Sequence, residues 1–143
     1  MVAEQDRYFD ARVSILKVHD GTALRDLSPY LIELKGLPGQ YKVNDSTTYG
    51  SLGERPAPSI FVVHFTAEFL FNMITTLGVN TVLATMFATK ALRAFEYYPA
   101  GEATGNAKWS GSAYLPVYES AGKAGDYVQM HAEFHADNGI TIA

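Results

Sequence analysis

Residues 126–136 (DYVQMHAEFHA) alternate without a break. Val128, Met130, Ala132, Phe134 and Ala136 fall on one side, and Tyr127, Gln129, His131, Glu133 and His135 on the other. Successive side chains of a strand point to opposite faces, so the pattern implies a strand with one buried and one wetter face. Two more strand-like runs precede it, 91–98 (ALRAFEYY) and 109–119 (WSGSAYLPVYE). The Gly- and Pro-bearing segments 99–108 and 120–125 separate them. A last third built this way constrains the chain to an antiparallel meander.

The rest of the chain extends the β reading. Residues 11–19 (ARVSILKVH) read as a first strand, with Val13 and Ile15 opposite Ser14 and Leu16. Asp20-Gly21 signals a turn, residues 26–29 (DLSP) a short helical or 3-10 turn, and residues 30–35 (YLIELK) a second strand. Residues 60–72 (IFVVHFTAEFLFN) are the strongest strand, with Phe61, Val63, Phe65, Ala67, Phe69 and Phe71 on a face that must be covered. A helix is predicted over about 78–89. Val79, Val82, Leu83, Met86 and Phe87 form its apolar stripe, and Asn80 or Thr81 is its candidate cap.

Residues 36–58 are the exception, with four glycines and three prolines among few core-type side chains. The reading is a long loop with a short hairpin, 41–43 against 47–49, and Asn44-Asp45 at its turn. Loops of this length have a purpose or are disordered. Tyr41, Tyr49 and Leu52 favour a loop that orders against a partner, since purely solvated loops seldom carry aromatics.

Together these elements predict a mainly β single domain over residues 1–143, with residues 1–10 as an N-terminal arm. The fold class is an antiparallel β-sandwich or barrel with one flanking α-helix. A chain of 143 residues buries enough surface to fold without staples. It has no cysteine, which excludes disulfides and thiolate metal sites. The net charge of −4 and scattered Lys and Arg speak against gripping nucleic acid through its phosphates. The polar, acidic start (MVAEQDRYFD) does not read as a signal peptide, and the apolar-rich stretch 60–92 is too interrupted to span a membrane.

Catalytic patterns are weak. His131, Glu133 and His135 share one strand face, where two imidazoles and a carboxylate could approach a metal ion. Catalytic zinc needs a third strong ligand and an open position, so a polar strand face or a subunit contact is the preferred reading. Ser110 is not in a nucleophile elbow, no glutamate pair stands out as an acid–base couple, and residues 101–106 lack the lysine and following helix of a phosphate loop. No catalytic residue, cofactor or metal is assigned.

The residues Phe95-Glu96-Tyr97-Tyr98-Pro99-Ala100-Gly101, followed by Thr104-Gly105-Asn106, Lys108, Ser110-Gly111 and Ala113, resemble the closing part of the tail tube (major tail) proteins of long-tailed bacteriophages. Asp26-Leu27-Ser28-Pro29-Tyr30 resembles their early turn, and Asp45-Ser46-Thr47-Thr48-Tyr49-Gly50-Ser51 a segment of their long loop. The proline-rich 52–58 lies outside the match. The resemblance implies a non-enzymatic virion protein of the tail, assembled in the host cytoplasm into stacked, hexameric rings through which DNA passes. It implies contacts with further copies and with tape measure, terminator and baseplate proteins, and no membrane. By the same resemblance, residues 36–58 and 1–10 carry assembly, with Tyr41, Asp45, Thr47, Tyr49, Leu52 and Arg55 as ring-contact residues. Two alternatives stay open. One is another virion module, such as a capsid decoration, tail terminator or head–tail connector protein. The other is a small β-barrel binding protein or hydrolase.

Overall fold

Leu16 and Val18 are fully buried and anchor the first strand, β1 (Ile15–His19), in the core. The computed structural model describes residues 10–72 and 78–143. Nine strands and one α-helix follow one another among these residues. After β1 come β2 (Leu24–Asp26), β3 (Leu31–Lys35), β4 (Gln40–Asp45), β5 (Pro56–Val62) and β6 (His64–Leu70). Helix α1 (Val79–Thr89) leads to β7 (Arg93–Tyr98), β8 (Trp109–Ala121) and β9 (Gln129–Ile142). Seven strands form one antiparallel sheet in the order β2-β1-β7-β8-β9-β6-β3, while β4 and β5 pair only with each other. The mainly β, antiparallel architecture with one helix is the one the sequence implied. No helix among the described residues is long and apolar enough to cross a membrane.

The large sheet is strongly coiled. Phe65 of β6 and Phe95 of β7 lie with ring centroids 4.8 Å apart, although β8 and β9 separate their strands. In a flat sheet, strands spaced about 4.8 Å would hold them about 14 Å apart. The sheet therefore curls around its apolar face. Leu16, Val18, Phe65, Phe69, Phe95 and Phe134 meet inside it. Full burial of each such side chain is worth about 1.5–3 kcal/mol.

Helix α1 covers part of this core and packs against β8. Val79, Val82, Leu83 and Met86 are its buried stripe, as predicted, but Phe87 is 42% exposed and meets Tyr118 at 6.3 Å. Gly78 is the N-cap, with no side-chain cap bond, so neither Asn80 nor Thr81 fills that position. Lys90 ends the helix in the left-handed conformation (φ 55°), its N–H donating to the carbonyls of Met86 and Phe87.

Other boundaries are corrected. Residues 11–13 form a 3-10 turn rather than strand, closed by the Asp10 side chain accepting from Arg12 N–H. The turn predicted at 26–29 is a 3-10 turn over Ser28–Tyr30. Strand β2 was absent from the sequence reading. Strand β9 starts at Gln129, so Tyr127 and Val128 precede it, and it runs on to Ile142 beyond the predicted end. Its predicted buried face holds at Met130, Ala132 and Phe134. Of the arm expected at 1–10, residues 1–9 lie outside the described residues.

The largest correction falls at Val63. Residues 60–72 are not one strand. Val63, Phe65, Ala67 and Phe69 are buried as predicted, but Phe61 is 63% exposed and Phe71 38%. Val63 marks a change of partner: up to Val62 the chain pairs with β4, and from His64 it pairs with β9. Alternation continues through the break in the sequence, but the sheet that would cover Phe61 does not.

The turn motifs have local jobs. Ser28 Oγ accepts from Leu16 N–H at 2.8 Å, and Asp26 caps Ser28 N–H at 2.9 Å. Asn106 Nδ2 donates to the carbonyls of Ala100 and Gly101, each at 3.1 Å. Lys17–Glu102 (2.7 Å) and Lys108–Glu96 (3.3 Å) tie the same turn to the outer face of β1 and β7.

Candidate self-assembly surface

Strands β4 and β5 turn residues 36–58, predicted as mostly loop, into a two-stranded hairpin outside the main sheet. The register pairs Tyr41 with Phe61, Val43 with Pro58 and Asp45 with Pro56. The predicted partner of 41–43 was 47–49. The actual partner is β5, and residues 46–55 are its connection. Pro56 and Pro58 blurred the strand in the sequence, because proline is confined to edges and bulges; both strands of an isolated pair are edges.

The hairpin leaves apolar surface uncovered. Tyr41 is 51% exposed, Val43 57%, Ile60 66% and Phe61 63%. Tyr41 and Phe61 meet edge to face at 6.0 Å. At the tip, Tyr49 and Leu52 are fully exposed. These apolar side chains stand on a two-stranded projection outside the main sheet, an exposed patch of the kind that makes it the candidate contact surface.

The six residues singled out for contact divide into two groups. Asp45, Thr47 and Arg55 come together at the neck of the connection and hold its shape. Thr47 N–H donates to Asp45 Oδ1 (2.9 Å), and Arg55 N–H donates to Thr47 Oγ1 (2.9 Å). Ser46 N–H and Oγ both donate to Arg55 carbonyl, at 2.9 and 2.6 Å. Thr47, first through its side chain and then through its backbone N–H, holds the Asp45 carboxyl below its ordinary pKa. Tyr41, Tyr49 and Leu52 instead present free apolar surface. The sequence reading missed Val43, Ile60 and Phe61 as members of this surface. Their alternation was legible, but not the absence of a covering layer.

A second surface lies on the outer face of β8, β9, β6 and β3. Cross-strand partners share a face. The register aligns Glu119 with His131, His131 with Glu68 and Glu68 with Glu33. The neighbouring row holds Val117, Glu133, Thr66 and Lys35. His131 sits between two carboxylates, with Nδ1 3.6 Å from Glu68 and Nε2 3.7 Å from Glu133. His135 does not join them: it stacks on His64 at 3.8 Å. The H-x-E-x-H strand face is thus divided between a ring set between two carboxylates and a stacked ring. Among the described residues, no group of three metal-capable side chains is gathered.

The sequence matches no family profile and no curated protein. Solved structures do match over nearly the whole chain. One is the tail of an empty gene transfer agent particle, refined with C6 symmetry: TM-score 0.74, 9% identity, covering 95% of this chain and 99% of that one. Another is from the sheath–tube complex of an extracellular contractile injection system in its extended state: TM-score 0.67, 12% identity, covering 100% and 99%. A third is from the sheath/tube terminator of such a system: TM-score 0.67, 11% identity, covering 96% and 98%. At these identities the likeness shows a shared fold. It is the fold that the resemblance to tail tube proteins implied.

Proposed function

We propose that this chain is a structural virion protein that self-assembles into stacked, hexameric rings, forming a tail tube through which DNA passes. The observation that carries the reading is the uncovered hairpin β4–β5 on a fold shared with tail and tube proteins. An isolated pair of strands is marginal alone and gains stability from a neighbour. In this role Tyr41, Tyr49 and Leu52 contact the next copy, while Asp45, Thr47 and Arg55 keep the connection in shape. The C6 symmetry of the gene transfer agent tail supports six copies per ring.

DNA passage is supported by charge. The outer face of β8-β9-β6-β3 carries Glu33, Glu68, Glu119 and Glu133 against Lys35. A ring lined by that face would repel phosphate rather than hold it. Partners in the role are further copies and tail proteins such as tape measure, terminator and baseplate, in a virion tail assembled in the host cytoplasm. No catalytic step belongs to it. A tube-terminating module is the second reading, because the sheath/tube terminator shares the fold; many copies per particle, rather than a single ring, separate tube from terminator.

Sedimentation of the variant Tyr49→Asp/Leu52→Asp tests the assembly surface. Both side chains are fully exposed, so the subunit stays folded. Loss of assembly with unchanged circular dichroism is the expected result. Assembly at the unmodified level would overturn the role given to the hairpin tip.

A further inference from the structure

We infer that His64 and His135 form a two-imidazole binding site for a late first-row transition cation such as Zn²⁺, Ni²⁺ or Cu²⁺. The two residues are direct cross-strand partners on β6 and β9. Their rings lie 3.8 Å apart with planes 10° from parallel. Imidazole is a preferred ligand for these cations. Lone pairs in near-parallel ring planes do not converge, so both rings must turn out of the stack about their side-chain torsions to place one nitrogen of each on a shared ion. Once one ring binds, the second is already at high effective concentration.

The surroundings suit a cation. Among the described residues, neither ring has a hydrogen-bond or ion-pair partner that an incoming ion would have to displace. His64 is exposed and borders the groove formed with Gly36, Leu37, Gly39, Gln40 and Val62, so the ion has an approach. The charge of Glu133 reaches His135. With two protein ligands, the remaining positions take water or a ligand from another molecule, so the site is open and exchangeable. The ion would also brace the fold, because only Val63 separates His64 from the end of β5 and the clamp ties the root of the hairpin to β9.

The test is titration calorimetry of the untagged full chain with Zn²⁺, Ni²⁺ and Cu²⁺, with thermal unfolding in parallel. One ion per chain is expected, tightest for Cu²⁺. His64→Ala and His135→Ala should each weaken binding by about tenfold or more. Each should also abolish the rise in melting temperature that a bound ion confers. His131→Ala should leave both readouts unchanged. Circular dichroism of the variants checks the fold, and His64→Gln repeats the test with a polar side chain. Absence of binding at millimolar ion, or binding that survives loss of both His64 and His135, would overturn the site.

Discussion

Phe65 and Phe134 stack face to face across β6 and β9, ring centroids 4.7 Å apart and planes 7° from parallel. One step back along β6, His64 and His135 stack in the same manner on the opposite face. The same register therefore places an apolar pair inside the coiled sheet and a polar pair outside it.

The inner pair gives the first expectation. Phe65 is fully buried and also touches Phe95. Phe65→Ala should cost about 3–5 kcal/mol in chemical denaturation of the subunit. Phe61, in the same alternating run, should cost the free subunit no more than about 0.5 kcal/mol when changed to Ala, because it is largely exposed. Equal costs would mean that the run is one continuous strand and that the change of partner at Val63 is wrong.

That change of partner also marks the limit of what was legible in the sequence. The strands of the large sheet other than β2, and the stripe of α1, were readable because burial imposes a period, and Met130, Ala132 and Phe134 obey it. The hairpin was not, because Pro56 and Pro58 do not look like strand and Phe61 looks like core. Alternation reports which residues share a face. It does not report whether anything covers that face, and that information belongs to long-range pairing. The candidate surface was legible at Tyr41, Tyr49 and Leu52, where aromatics and leucine stand in a glycine-rich segment. The neck formed by Asp45, Thr47 and Arg55 needed coordinates, since it joins residues on either side of the connection.

The root of the hairpin depends on Gly36. Its φ is +109°, and a Cβ there would lie 2.6 Å from the His64 carbonyl oxygen and 2.9 Å from Phe65 Cα. Gly36→Ala should destabilise the subunit by about 1–3 kcal/mol, read as a lower denaturation midpoint. Gly50→Ala, with open space around it, serves as the control. Indistinguishable variants would show that the root tolerates a different path.

Tyr118 places its hydroxyl in a buried position without a hydrogen-bond partner among the described residues. Removing an unsatisfied buried polar group relieves its desolvation cost. Tyr118→Phe should therefore be neutral or stabilising by up to about 1 kcal/mol. Burial also pushes the Tyr118 pKa up to about 12. The folded chain then holds this proton while the unfolded chain has lost it, so stability is full below pH about 10 and declines as the pH rises toward 12. The Phe variant should lose this part of the alkaline decline. A large destabilisation by Tyr118→Phe would reveal a partner for the hydroxyl.

His135 sets an acid-side expectation. Its pKa is lowered from 6.5 by burial and then by His64. The unfolded chain thus takes up the proton first as the pH falls. The stability linked to this group is full above pH about 6.5 and is lost as the pH falls through the lowered folded value. His64→Ala removes the second cause, so its denaturation midpoint should fall less on acidification than that of the unmodified chain. A steeper fall would contradict the coupling of the two rings.

The connection 46–55 projects from the subunit with Tyr49 and Leu52 fully exposed. Exposed tips of this kind are preferred sites of nicking. Limited proteolysis should cut the free subunit within residues 46–55 and spare the assembled form, as followed by mass spectrometry. Equal protection in both states would remove this segment from the contact.

The central claim is tested most directly by electron microscopy of the assembled protein. The account requires stacked six-fold rings around an open channel, with density for β4–β5 reaching the adjacent copy. A protein that remains a monomer at high concentration, or one that assembles with the hairpin free in solvent, would contradict it.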